Sequence, residues 1–293
     1  MRIKKILSAI IMISSAVVYG QEHKTDLSKL QFNHLYIVVD SATFTQFLKN
    51  YFLHNEFANT DMGMPIFQKV DSTAKTIYIR GENTYIELMG PENKFKEPVG
   101  AVGVGFSWDT QIPFDYTIQD YIAKDSHNFL PFEKYEFSWD FKTHKTLWYQ
   151  SYYVKEVSTK LATWYAFYNP GFLSDLFQER YFHYRRNDYL VKIYNENRIL
   201  TDVVGITLQC AENDFERIVS EMNLLECKII SRTESSATYK IGELNFTLRV
   251  NSSAENSSIQ SIAFKTKSKI AKTFTVGKIE ITASDNKMIW HFN

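Results

Sequence analysis

Cysteine is nearly absent, with only Cys210 and Cys227 in 293 residues. That scarcity excludes a zinc-type cysteine cluster. A disulfide between the two is not expected either. Asn213 to Leu225 reads as a helix, whose ends at about 1.5 Å per residue lie roughly 18–20 Å apart, beyond disulfide reach. Two buried free thiols are expected instead. Excess charge of one sign is also lacking, since 33 basic residues face 33 acidic ones. No clustered basic stripe extends beyond Arg185 and Arg186, so the sequence offers no field for a phosphate backbone, and no nucleic-acid partner is expected. No nucleophile elbow, phosphate loop or dinucleotide fingerprint occurs. After residue 20 no apolar run is long enough to span a bilayer, so no membrane span is expected once a signal is removed.

What is present begins at the amino terminus. Arg2, Lys4 and Lys5 precede an apolar run from Ile6 to Val18, and Gly20 stands just before Gln21. This is the pattern of a cleavable secretory signal over residues 1–20, with Ser8, Ser14 and Ser15 interrupting a run already short for an anchor. No cysteine sits where a lipid-attached protein needs one, which favours a periplasmic or secreted product. Removing the signal leaves 30 basic against 33 acidic residues, about minus three. Aromatic residues make up 15% of the chain and crowd between Phe129 and Tyr194, enough apolar area for packed sheets.

Periodicity then divides the chain. Phe32 to Val39 alternates as a strand. Asp40 and Ser41 can cap a helix whose stripe is Phe44, Phe47, Leu48, Tyr51 and Phe52. Strands follow at Phe67 to Val70, Lys75 to Arg80 and Thr84 to Met89, a β-α-β-β-β unit. The order restarts with a strand at Val102 to Trp108, a helix at Ile112 to Ala123, and strands at Tyr135 to Phe141, Leu147 to Val154 and Thr163 to Tyr168. Thr84 to Pro91 can be laid on Thr163 to Pro170, and Phe32 to Asp40 on Ala101 to Asp109, the mark of an internal duplication. Phe172 to Arg186 reads as helical, and Tyr189 to Tyr194 alternates. A third unit runs from Val203 to Val250. A fourth, without its helix, comprises Ile259 to Thr266 and a hairpin at Thr273 to Phe292. The implied organisation is a signal at 1–20, a two-module domain at 31–171, a helical connector at 172–200 and a degenerate C-terminal domain at 201–293.

Phe32-Asn-His-Leu-Tyr-Ile-Val-Val-Asp40, Gly81-Glu-Asn-Thr-Tyr-Ile-Glu-Leu-Met-Gly-Pro91 and Gly100-Ala-Val-Gly-Val-Gly-Phe-Ser-Trp108, in that order, resemble the vicinal-oxygen-chelate superfamily, and most of all its uncharacterised glyoxalase-like branch. The resemblance implies an α+β fold in which paired βαβββ modules curl into cupped mixed sheets. It also implies a divalent metal held by a His on the first strand and a Glu on the fourth strand of each module. His34 and Glu87 match the first pair. Gly103 and Ala166 stand where the second pair belongs, so the implied metal site is incomplete, and at most a weakly bound divalent ion is expected.

Alternation of side chains sorts the first module independently of the family. Leu35, Ile37 and Val39 go under the helix with Ile77, Ile79, Ile86 and Leu88. His34, Tyr36, Tyr78, Arg80, Tyr85 and Glu87 take the open face, where the second module adds Trp164 and Tyr168. Three functional readings follow, one of them an interaction module whose cup is filled by its own bulky side chains. The preferred one is an exported protein that binds a small molecule in an aromatic-lined cup formed by Tyr36, Tyr78, Arg80, Tyr85, Trp164 and Tyr168. The remaining one, implied by the resemblance, is a metal-dependent lyase, isomerase or dioxygenase-type enzyme using His34 and Glu87. Fold analogy alone does not establish chemistry, which sets the binding reading first. Oligomeric state and the role of the C-terminal domain are left open.

Overall fold

A computed structural model of the chain describes residues 27–109, 132–154 and 160–292. The expected signal at 1–20 and the helix expected at Ile112 to Ala123 lie outside the described residues. The first unit comprises β1 (Leu30–Val38), α1 (Ser41–Leu48), β2 (Asn59–Asp61), β3 (Thr76–Arg80) and β4 (Tyr85–Met89). β5 (Val102–Trp108), β6 (Phe132–Asp140), β7 (Lys145–Val154) and β8 (Leu161–Tyr168) follow. These eight strands form one mixed sheet in the order β2-β3-β4-β1-β5-β8-β7-β6. β1 and β5 lie antiparallel at its centre, each flanked by a parallel neighbour, β4 or β8. The duplication read from the sequence is this approximate two-fold arrangement.

After α2 (Pro170–Phe177) and α3 (Arg186–Leu190) the pattern repeats with β9 (Leu200–Cys210), α4 (Glu212–Leu224), β10 (Lys228–Arg232), β11 (Ser236–Ile241) and β12 (Leu244–Val250). It closes with β13 (Ser258–Thr266), β14 (Lys272–Val276), β15 (Ile279–Ser284) and β16 (Lys287–Phe292). The second sheet has the order β10-β11-β12-β9-β13-β16-β15-β14, strand for strand the plan of the first. The fold is therefore the expected α+β assembly of paired modules. The expected hairpin at Thr273 to Phe292 is instead a three-stranded meander, with two-residue turns at Gly277-Lys278 and Asp285-Asn286. Gly277 and Asp285 take left-handed backbone, φ 59° and 53°, as such turns require. Because no helix returns the chain between β13 and β14, β13 and β16 are antiparallel where β5 and β8 are parallel.

α1 and α4 lie between the two sheets, whereas α2 and α3 pack on the open face of the first. Asp40 caps α1 by accepting from the Thr43 amide at 2.9 Å, as its position before the apolar stripe predicts. Phe44 and Phe47 are buried against the back of the first sheet, and Phe47 also packs on Trp290 of the second, centroids 5.2 Å apart. The helix stops at Leu48, so Tyr51 is 71% exposed and does not extend the stripe. α4 mirrors it from the other side: Glu221 accepts from Tyr165 Oη and Thr163 Oγ1 on β8, each at 2.6 Å. Two further expectations change, and the expectation of unpaired cysteines holds. The second strand is Asn59–Asp61 rather than Phe67 to Val70, which contributes only a bridge from Lys69 to Asp61. The helix expected over Phe172 to Arg186 ends at Phe177, and a second short helix at Arg186–Leu190 takes the start of the stretch expected to alternate from Tyr189 to Tyr194. The Cys210 and Cys227 thiols are free, and burial pushes both up to about 12. Among the described residues no helix is long and apolar enough to cross a membrane.

Candidate functional site

The open face of the first sheet carries the site, and a bulge sets its orientation. β1 pairs Phe32 with Phe106 but His34 with Gly105, so Asn33 is an extra residue on β1. The bulge lets Phe32 join the core with Leu35 while His34 turns to the opposite face. Asn33 Nδ2 donates to Ser107 Oγ at 2.9 Å, which makes Asn33 Oδ1 the acceptor for His34 Nδ1 at 2.8 Å. His34 Nε2 is left as a bare acceptor toward the cup. Burial, reinforced by the Arg80 charge, holds the imidazole down to about 3, so it is neutral at ordinary pH.

Glu87 stands beside it on β4, its Oε1 3.8 Å from His34 Nε2. That approach is too long for a hydrogen bond. With His34 neutral it is not an ion pair either. The carboxyl makes no hydrogen bond among the described residues, and burial pushes it up to about 7 against the pull of Arg80 and Lys94. A buried carboxyl with an empty hydrogen-bonding side, facing a cavity, is an arrangement that needs a partner.

The cavity has two compartments that share His34 and Glu87. The outer one encloses about 360 Å³ between Tyr36, Trp164, Tyr149 and Tyr153, with Phe95 and Phe137 at its mouth. Trp164 lies between Tyr36 and Tyr153 in a stacked row, centroids 5.9 and 6.0 Å away. The inner compartment, about 90 Å³, is bounded by Tyr78, Tyr85 and Tyr168. The structure thus divides the single cup expected from the sequence, with Tyr36 and Trp164 at the larger space, Tyr78, Tyr85 and Tyr168 at the smaller, and His34 and Glu87 bordering both. Tyr184, Tyr189 and Leu190 of the segment after α2 fold back over Tyr85 and Tyr168 and fill that end of the cup.

Arg80 does not line either compartment. It is fully buried and forks onto Asp61, Nε to Oδ2 at 2.8 Å and Nη2 to Oδ1 at 2.9 Å. Its guanidinium lies 4.6 Å from the Tyr78 centroid and 4.9 Å from that of Tyr85. The expected polar group of the cup is thus a neutralised pair inside its wall. Arg186, half of the one basic pair, is held by the Asp109 carboxylate and the Phe32 carbonyl. Sequence reasoning missed Tyr149 and Tyr153, which alternation along β7 puts on one face, and Glu97 and Phe95, which sit in a loop with no periodicity to read.

The donor set does not fit the metal that the superfamily resemblance implies. A catalytic metal site needs three or four protein ligands, and only His34 and Glu87 converge here. A Cβ built on Gly103 would meet Tyr36 Cε1 at 2.1 Å and Trp164 Cζ3 at 2.7 Å. Aromatic rings thus occupy the space into which a second-module ligand would project. No group of three or more His, Cys, Asp or Glu side chains suited to a metal occurs among the described residues.

A family model described as "Family of unknown function (DUF5829)" matches residues 32–292. No curated protein matches the sequence. Among solved structures, a hypothetical protein from Staphylococcus aureus has a TM-score of 0.52 at 11% identity, over 84% of this chain and 95% of that one, a likeness of fold alone. A Mn(II)-bound glyoxalase from Novosphingobium aromaticivorans has a TM-score of 0.46 at 6% identity, over 88% and 80% of the two chains. A fusion of a xylose isomerase-like TIM barrel with 4-hydroxyphenylpyruvate dioxygenase has 0.47 at 13%, over 83% of this chain and 36% of that one.

Proposed function

The chain belongs to the DUF5829 family, and we propose that it binds a small molecule in the aromatic cup of its first sheet, working outside the cytoplasm once residues 1–20 are removed. The glyoxalase-like fold supplies the scaffold, and this chain does not carry the complete metal-ligand set that the superfamily resemblance implies. The observation that carries the reading is the 360 Å³ compartment with Glu87 facing it unbonded. Its size falls in the range of small-ligand sites, and its lining is mostly aromatic with a few convergent polar groups. The metal-dependent reading finds only two donors and a blocked second half.

The test is a fluorescence and calorimetric screen of small molecules against the exported form of the protein, with Ala162→Phe as control. Ala162 borders the outer compartment, so a phenyl ring there fills it. We expect saturable binding by the parent protein that persists after chelator treatment and is lost in Ala162→Phe. Millimolar manganese or zinc should shift the melting temperature little, because two donors leave most coordination positions to water. A stoichiometric metal that survives purification, with stabilisation abolished by His34→Ala, would overturn the metal-free reading. Full binding by Ala162→Phe would overturn the site.

A further inference from the structure

The outer compartment has a one-sided chemistry. Apart from the hydroxyls of Tyr36, Tyr149 and Tyr153, its polar groups are acceptors or acids: His34 Nε2, the Glu87 carboxyl and the Glu97 carboxyl, the last hydrogen-bonded to Tyr36. No lysine or arginine side chain lines it. The two cations nearby are otherwise engaged, because Arg80 is neutralised by Asp61 inside the wall and Lys94 borders the smaller compartment, over the Phe95 ring at 4.8 Å. The remaining surface is aromatic. Ring faces carry the negative lobe of a quadrupole, so the row of Tyr36, Trp164 and Tyr153 adds to the same sign of potential. A carboxylate or phosphate ligand would face two carboxyl groups and find no lysine or arginine side chain there.

We propose that this compartment takes an organic cation, an amine or quaternary ammonium group on a small apolar body, with the charge against the Trp164 row and between Glu87 and Glu97. The inference rests on the cup being a small-molecule site, and it names the ligand class. A cation supplies what the Glu87 carboxyl lacks, a charge partner within a desolvated space. The ring faces replace the water that the cation gives up, which is how aromatic cages select quaternary ammonium over neutral groups.

The experiment uses the full exported chain and three probes of one shape: choline, its neutral isostere 3,3-dimethylbutan-1-ol, and the anion 3,3-dimethylbutanoate, each titrated by calorimetry. Choline should bind at least about tenfold more tightly than the alcohol, and the carboxylate least of all. The double variant Glu87→Gln, Glu97→Gln should weaken choline about tenfold more than it weakens the alcohol, with its circular dichroism unchanged. Equal or tighter binding of the alcohol or the carboxylate would overturn the cation assignment while leaving the cup as a binding site. Failure of all three probes would overturn the assignment and would count against the cup itself. Retention of the choline preference in the double variant would show that the carboxyls do not select the charge.

Discussion

Glu87 and His34 are displaced from their ordinary proton affinities in opposite directions by the same burial, which gives the pair a measurable signature. Glu87 is raised to about 7 from 4.5, so its neutral form stabilises the fold. That contribution is complete below pH 4.5 and is lost as pH rises through 7, about 3 kcal/mol for the shift. His34 is lowered to about 3 from 6.5, so its contribution is complete above pH 6.5 and is lost as pH falls toward 3. The two slopes oppose each other between pH 4.5 and 6.5. Arg80, Lys94 and Asp61 are the other charges that act on Glu87. Replacing Glu87 by Gln removes one slope. In urea unfolding, the stability of Glu87→Gln relative to the parent should rise by about 3 kcal/mol from pH 5 to pH 8. A pH-independent difference would show that Glu87 is not desolvated as described. The facing of these residues was legible in the sequence, because period-two alternation fixes which side of a strand each occupies. The status of Arg80 was not, because Asp61 lies 19 residues away, on a strand too short to signal itself.

At the level of elements, β2 shows how a three-residue strand is kept. So few ladder bonds hold Asn59–Asp61 weakly, and the Asp61–Arg80 fork joins it to β3 inside an aromatic box. Removing the charge from Asp61 leaves a guanidinium fully buried without its counter-ion, which costs about 3–5 kcal/mol. Asp61→Asn should therefore lower the urea midpoint sharply, and Arg80→Met in the same chain should recover part of the loss. Absence of any recovery would mean that Asp61 acts mainly through its bond to the Gly63 amide, at 2.6 Å, and not through Arg80. Long periodic elements such as β1 and α4 were legible in the sequence because one face of each is apolar over several repeats. The return of Tyr184 and Tyr189 over the cup was not legible, since aromatic residues in a connector carry no mark of the surface they will cover. The outer face of the second sheet differs in kind. Thr238 bonds Thr247, and Arg249 bonds Gln260, a polar ladder in the place of the aromatic cup.

The two sheets share one apolar core, and this decides how the molecule comes apart. Phe57 meets Phe264 at 5.4 Å and Trp290 at 6.1 Å, and Phe106 meets Phe246 at 5.5 Å, all across the layer that holds α1 and α4. Polar ties cross the same layer: Arg217 Nη1 donates to Thr163 Oγ1 at 2.8 Å, and Asp202 accepts from the Asn83 and Thr84 amides at 2.8 and 3.0 Å. A sheet released from its partner would expose the apolar backs of its strands and would leave Arg217, Asp214 and Glu221 without their enclosure. Two sheets built to one plan need not unfold separately when neither owns a complete core. Calorimetric unfolding should therefore give one transition whose calorimetric and van't Hoff enthalpies agree. Phe57→Ala removes a fully buried ring from the shared layer and should cost about 3–5 kcal/mol while leaving the transition single. Near-ultraviolet circular dichroism, which reports the ordered aromatic rings of cup and core, and far-ultraviolet circular dichroism, which reports both sheets, should lose signal together in parent and variant. Two resolved transitions, with the cup surviving the loss of half the sheet signal, would show that the first sheet stands without the second.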